Sequence, residues 1–228
     1  MTLVAQDKSI VVPGEVLATG MDHVPAQGTF RENENIIASQ LGLLSVNGRL
    51  IKVIALSGRY IPKVGDMVIG KITYISFSNW SVNIGYAYEA NLSLKEATSD
   101  FIARGADLSQ YFDYGDVVTA KVIGVNKQKA IDLTMKGPGL RKLKGGRIIK
   151  VTPSKVPRLI GKQGSMISIV KEATNCKIIV GQNGLVWMQG DDPEKVRLAE
   201  ETILKIDREA HKEGLTDEIS KFLKERLK

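Results

Sequence analysis

Between Leu159 and Ile167 the chain reads Leu-Ile-Gly-Lys-Gln-Gly-Ser-Met-Ile, and no other stretch restricts the fold as much. Gly161 and Gly164 interrupt an apolar-periodic segment, so the string predicts a short helix near 154–159, a glycine loop, and a helix over 165–174. Glycine lacks a Cβ and lets a second backbone approach the main chain closely. Lys162 places a cation in the loop, and the free N–H groups opening the next helix add partial positive charge. A loop built this way suits a phosphodiester chain.

Charge along the sequence supports that reading. The net charge is +7, yet residues 136–190 hold eleven Lys and Arg against a single acid, Glu172. The other windows are close to balanced. A concentrated basic stretch is the electrostatic footprint of a polyanion-binding surface. With 43% apolar and 25% charged residues the chain has ordinary globular composition, and no run approaches the roughly 18 apolar residues of a membrane span. The opening residues lack the basic flank and apolar run of a secretory signal, and Cys176 stands alone, so a cytoplasmic chain without disulfides is expected.

The organisation reads as several modules. Over 1–60, short β-branched runs such as Ile10-Val11-Val12 and Leu50 to Ile54 alternate with turn residues and predict a small β-rich domain, with a two-residue hairpin loop at Asn47-Gly48. Over 61–136, Gly-Asp twice precedes an alternating run, Met67 to Ile75 and Val117 to Ile123. With Trp80 to Ile84 and a closing hairpin near 124–133 these give about five strands around a polar insertion at 95–113, the layout of an OB-fold barrel. Phe77, Trp80, Tyr86 and Tyr88 could stack on bases, but aromatics in a small barrel are more often core, and the core is where they are expected. Lys136-Gly137-Pro138-Gly139 breaks all periodicity, so 137–145 is expected as a basic linker. Residues 146–228 follow the order β, α, α, β, β, α, with an additional amphipathic helix beyond Gly214.

The string from Arg158 to Ile178 resembles the KH family, RNA-binding modules whose Gly-x-x-Gly loop clamps about four nucleotides of a single strand. The resemblance spans about 146–210 and implies a type I KH domain. Asn175 stands where the family usually has glycine, and asparagine tolerates the left-handed helix cap required there. The resemblance implies RNA contacts from Arg158, Ile160, Gly161, Lys162, Gln163, Gly164 and Ser165. The segments Gly70 to Ile75 and Ala130 to Lys136 resemble the first and last strands of an S1 domain, an RNA-binding OB variant. Where many S1 domains stack bases on aromatics and a histidine, this chain has Ser78, Ser81 and Ser93, so basic side chains such as Lys127 and Lys129 are the candidate S1 contacts.

Catalysis finds little support. His23 and His211 lie far apart, Asp191-Asp192 precedes Pro193-Glu194 as a helix cap does, and Cys176 has no histidine nearby in sequence. No enzyme activity, metal or cofactor is expected. Taken together, the β-rich unit, S1 and single KH, with Val12-Pro13-Gly14-Glu15 and Tyr60 to Gly70, resemble the ribosomal RNA-processing protein 4 family, RNA-binding cap subunits of the archaeal exosome. That resemblance implies a homotrimeric cap, alone or mixed with the other cap subunit, on a hexameric ring of RNase PH-like subunits. The cap would feed single-stranded RNA, favouring A-rich tails, to phosphate-dependent 3′-to-5′ degradation by the ring. The other reading is a free-standing transcription or translation factor with S1 and KH modules.

Overall fold

The computed structural model describes residues 2–100, 106–210, 212 and 214–226, in two compact units, Met1–Gly58 and Arg59–Lys228. In the first unit, eight short strands form two four-stranded sheets: β1 (Thr2–Leu3), β2 (Ile10–Val11), β3 (Val16–Thr19), β4 (Val24–Pro25), β5 (Thr29–Glu32), β6 (Asn35–Ala38), β7 (Gly42–Asn47) and β8 (Leu50–Ala55). The sheet orders are β1-β3-β6-β5 and β2-β7-β8-β4. Alternating residues of both sheets, among them Leu17, Ile36, Leu44 and Ile51, bury fully between them. The β7–β8 hairpin differs from expectation by one residue. Asn47 pairs with Leu50, so the loop is Gly48-Arg49, and only Gly48 takes positive φ, at 58°. A glycine at the first loop position supplies the turn that Asn47-Gly48 would have supplied had both been left-handed.

The second unit opens with a closed barrel of β9 (Met67–Ile75), β10 (Asn79–Asn83), β11 (Ala90–Ser93), β12 (Val117–Val125) and β13 (Ile131–Thr134). Their order is β13-β11-β10-β9-β12, and β13 pairs with β12 to close the ring, the OB arrangement expected. Trp80 fills the interior; its indole N–H donates to the Phe112 carbonyl at 2.9 Å, and the two rings meet edge to face at 5.4 Å. Phe112 comes from the insertion, which also carries the short helix α1 (Leu94–Ala97) and a 3₁₀ turn at Leu108–Gln110. The expected linker is not free. Within it β14 (Lys142–Leu143) pairs with the start of β12, and Lys142 forms an ion pair with Asp116.

The remaining chain folds as β15 (Arg147–Lys150), α2 (Val156–Ile160), α3 (Ser165–Thr174), β16 (Lys177–Val180), β17 (Leu185–Gln189) and α4 (Pro193–Arg208), followed by α5 (Leu215–Arg226). This is the βααββα order, with β17 central in an antiparallel sheet and the helices packed on it through Val170, Met188, Ile203 and Ile219. α3 ends at left-handed Asn175 (φ 54°). Asp192 caps α4, its Oδ1 accepting from the Glu194 N–H at 2.9 Å, with Pro193 at the first position. α5 docks through Lys205, whose ammonium lies 3.1 Å from Glu209 and 3.0 Å from Glu218.

Barrel and KH fold meet at the turn between β16 and β17. The Asn183 amide donates to the Ile69 carbonyl at 2.7 Å and to the Ile84 carbonyl at 2.8 Å, and accepts from the Ile69 N–H at 3.2 Å. The Gln182 N–H adds a bond of 2.8 Å to the Met67 carbonyl. Asn183 is buried, so these bonds satisfy groups that water cannot reach. Beside them Ile69, Leu143 and Trp187 form a small apolar core of their own, and the Trp187 indole donates to the Gly145 carbonyl at 2.8 Å. The two modules are therefore joined by a packed interface rather than a tether.

Candidate nucleic-acid interface

The glycine loop lies between α2 and α3. Gly161 has φ 76° and ψ 175°, Gln163 is left-handed at φ 54°, and Gly164 follows at φ 82°. Three unusual conformations within four residues, held by helices on either side, shape a tight exposed loop. Lys162, Gln163 and Ser165 are all exposed. α3 has no side-chain cap; its Ser165 N–H donates to the Lys162 carbonyl, and no side chain caps the N–H groups that follow.

Next to the loop runs a groove of about 580 Å³. Ile160 and Ile167 form one side, Ile178 and Val180 the other, and Lys171 and Lys177 stand exposed on its rim. An apolar floor with cationic edges matches a single strand, whose bases offer apolar faces and whose backbone carries charge. Of the eleven cations in residues 136–190, Lys142 and Arg147 form ion pairs, and Lys155 and Arg158 bond to the carbonyls of Asp207 and Lys212. The other seven have no ion pair or side-chain hydrogen bond among the described residues, leaving their charge for a ligand.

The structure brings most of the expected contacts together. Ile160, Gly161, Lys162, Gln163, Gly164 and Ser165 form one continuous surface of groove and loop. Arg158 is exposed in α2, with its Nη2 donating to the Lys212 carbonyl at 2.7 Å. Lys127 and Lys129 sit elsewhere, exposed in the β12–β13 turn of the barrel, and neither lines the groove.

The barrel aromatics divide differently from the expectation. Trp80 is core, and Tyr86 packs partly against it, but Phe77 is fully exposed in the β9–β10 turn and Tyr88 is 57% exposed. Strand β10 starts only at Asn79, which leaves Phe77 outside the barrel wall. Two of the serine positions, Ser81 and Ser93, share one face: Ser81 pairs with Asn91 and Asn79 with Ser93, while Ser78 precedes β10. Amides bridge this face, Asn79 to Asn91 at 2.7 Å and Asn91 to Asp132 at 3.2 Å. Tyr74, which sequence reasoning missed, pairs with Ser81 across β9 and β10 and is exposed. Alternation hid it: two residues after buried Ile72 it should face inward, and the register shift between Ser81 and Val82 turns it outward.

Among the described residues no group of three or more His, Cys, Asp or Glu could hold a metal ion, and no helix is long and apolar enough to cross a membrane. Cys176 is buried, with its thiol 3.6 Å from the Thr174 carbonyl. His211 lies outside the described residues, and the His23 carbonyl accepts a bond from Arg31.

Three family models match successive parts of the chain: the Rrp4 exosome RNA-binding protein N-terminal domain over 8–57, the Rrp4 S1 domain over 59–124, and the KH domain over 146–205. The exosome complex component Rrp4 of Thermococcus kodakarensis is 48% identical over 224 residues, covering 97% of this chain and 87% of the relative. The chain belongs to the Rrp4 family. The Rrp4 of Thermofilum pendens is 40% identical over 233 residues, with 100% of this chain and 98% of the relative aligned. A solved structure named for an exosome complex RNA-binding protein superposes with a TM-score of 0.67 at 35% identity, covering 74% of this chain and 97% of that one. The three Rrp4 modules thus occur here in one order, and the two that can meet RNA, S1 and KH, share one compact unit.

Proposed function

We propose that this chain captures single-stranded RNA as a non-catalytic cap of an exosome and guides it into a phosphorolytic 3′-to-5′ ring. The observation that carries the reading is the exposed Gly161–Gly164 loop beside an apolar groove whose cations have no partner of their own. The relatives named as exosome complex components supply the assembly. Arg158, Lys162 and the loop backbone hold phosphates, Ile160 packs against a base, and Lys127 and Lys129 give the barrel a second, weaker cationic contact.

The first unit is the natural ring contact. On its β2-β7-β8-β4 sheet Ile10 pairs with Leu43 and Leu43 with Ile54, and this row leaves Ile10 65% and Ile54 47% exposed. A contiguous apolar row on a small domain marks a protein interface. Three copies on a six-membered ring of RNase PH-like subunits, alone or with the other cap type, would gather three weak sites around one strand, where effective concentration replaces single-site affinity.

The test mixes the purified chain with an RNase PH-like ring and labelled single-stranded RNA. Co-elution with the ring and faster phosphate-dependent decay are expected, with both RNA capture and acceleration lost in Gly164→Asp. RNA decay by the chain alone would overturn its non-catalytic role, and absence of ring association would leave a free-standing RNA-binding factor.

A further inference from the structure

The groove does not end where the KH fold ends. Met67 at the head of β9, and Gly139 and Arg141 in the segment before β15, line it as well. The turn that follows β16 is fastened to the barrel by Gln182, bonded to Met67, and by Asn183, bonded to Ile69. Residues from the barrel and the joining segment thus complete one end of the groove.

Arg141 is held in place from its backbone. Its carbonyl accepts from the Thr119 N–H at 2.9 Å, the next two residues form β14, and Leu143 is buried against Ile69 and Trp187. Its side chain is exposed and has no ion pair or hydrogen bond among the described residues, whereas neighbouring Lys142 is engaged with Asp116. A guanidinium presents several donors in a fixed plane and holds a phosphate by paired bonds. Anchored main chain, uncommitted guanidinium and apolar floor together describe a phosphate position at the barrel end of the groove.

We infer that Arg141 is an RNA-phosphate ligand supplied from outside the KH fold, so that groove and barrel wall form one composite site for a strand leaving the glycine loop toward the barrel. The inference rests on the reading that the loop binds RNA. It adds that the strand occupies more than the KH clamp and that its direction of exit is set by the segment joining the two modules.

The full chain would be titrated with labelled oligoadenylates, one of about four nucleotides, the span of one KH clamp, and one about twice that length. Arg141→Gln is expected to weaken the longer strand about three- to tenfold and to leave the shorter one nearly unchanged. It should also reduce the slope of log affinity against log salt by about 0.7, the value for one phosphate contact on a single strand. Arg141→Lys should recover most of that slope, and an unaltered thermal midpoint in both variants guards against a folding effect. Native affinity of Arg141→Gln for the longer strand, with binding lost in Gly164→Asp, would overturn the composite site and leave the loop reading standing. Native affinity in Gly164→Asp would sink the loop reading and the composite site with it.

Discussion

A Cβ at Gly161 would lie 2.7 Å from the Met166 nitrogen, whereas one at Gly164 would meet open space. Gly161 also has a φ/ψ pair that essentially only glycine adopts, while Gly164 is merely left-handed, which costs other residues about 1–2 kcal/mol. Gly164→Asp should therefore leave a folded protein with little or no RNA affinity, and Gly161→Asp should lower the thermal midpoint further; calorimetry beside an RNA titration separates the two. Asn183→Ala removes three buried hydrogen bonds and orphans backbone groups of Ile69 and Ile84. A loss of about 3 kcal/mol or more in urea unfolding is expected. In the barrel, Trp80→Ala should cost about 3–5 kcal/mol and Phe77→Ala almost nothing, since one ring is fully buried and the other fully exposed. The sequence could not tell these two rings apart. Their hydropathy is alike, and only the point at which β10 begins assigns one to the interior.

At the scale of elements, long periodic segments were legible and short ones were not. The three- and four-residue spacing of Val196, Ala199, Ile203, Ile206 and Ala210, and of Leu215, Ile219, Phe222 and Leu223, marks the inward faces of α4 and α5; six of these side chains are buried, and Val196, Ala210 and Phe222 are half-buried. β14 escaped detection because two residues carry no period, and the Gly-Pro-Gly before it reads as a break. Pairing partners were equally hidden. Beside its buried Leu215, Ile219 and Leu223, α5 is held by Lys205, whose charge is favoured by the hydrogen bonds it donates first to Glu218 and then to Glu209, so its pKa rises. The Lys205 ammonium in turn holds Glu209 below the usual carboxylate range. The depressed Glu209 contributes above its unfolded pKa and stops contributing as pH falls through its folded value; the raised Lys205 contributes below its unfolded pKa and ceases as pH rises through its folded value. Protection factors for hydrogen exchange in α5, corrected for the intrinsic pH dependence of exchange, should be highest between these limits and fall in acid, and Glu218→Gln should lower them at neutral pH.

Viewed whole, the molecule separates into Met1–Gly58 and Arg59–Lys228. A chain starting at Arg59 should retain the RNA affinity of the full protein and lose ring association, which co-elution and fluorescence anisotropy would check. Module order was readable from turn residues, glycine spacing and charge. The contact between barrel and KH fold was not, because Asn183 looks like any turn asparagine until Ile69 and Ile84 are brought beside it.

That asparagine has a mechanical consequence. A strand drawn toward a processive nuclease pulls on whatever grips it, and a gripping module on a slack tether would swing with the load. Here one side chain meets the barrel through three hydrogen bonds with the Trp187 cluster beside them, so tension on the KH fold falls on several contacts at once. In an optical trap the barrel and KH fold should yield in one step in the native chain, and in two steps, the first at lower force, once Asn183 is replaced by alanine.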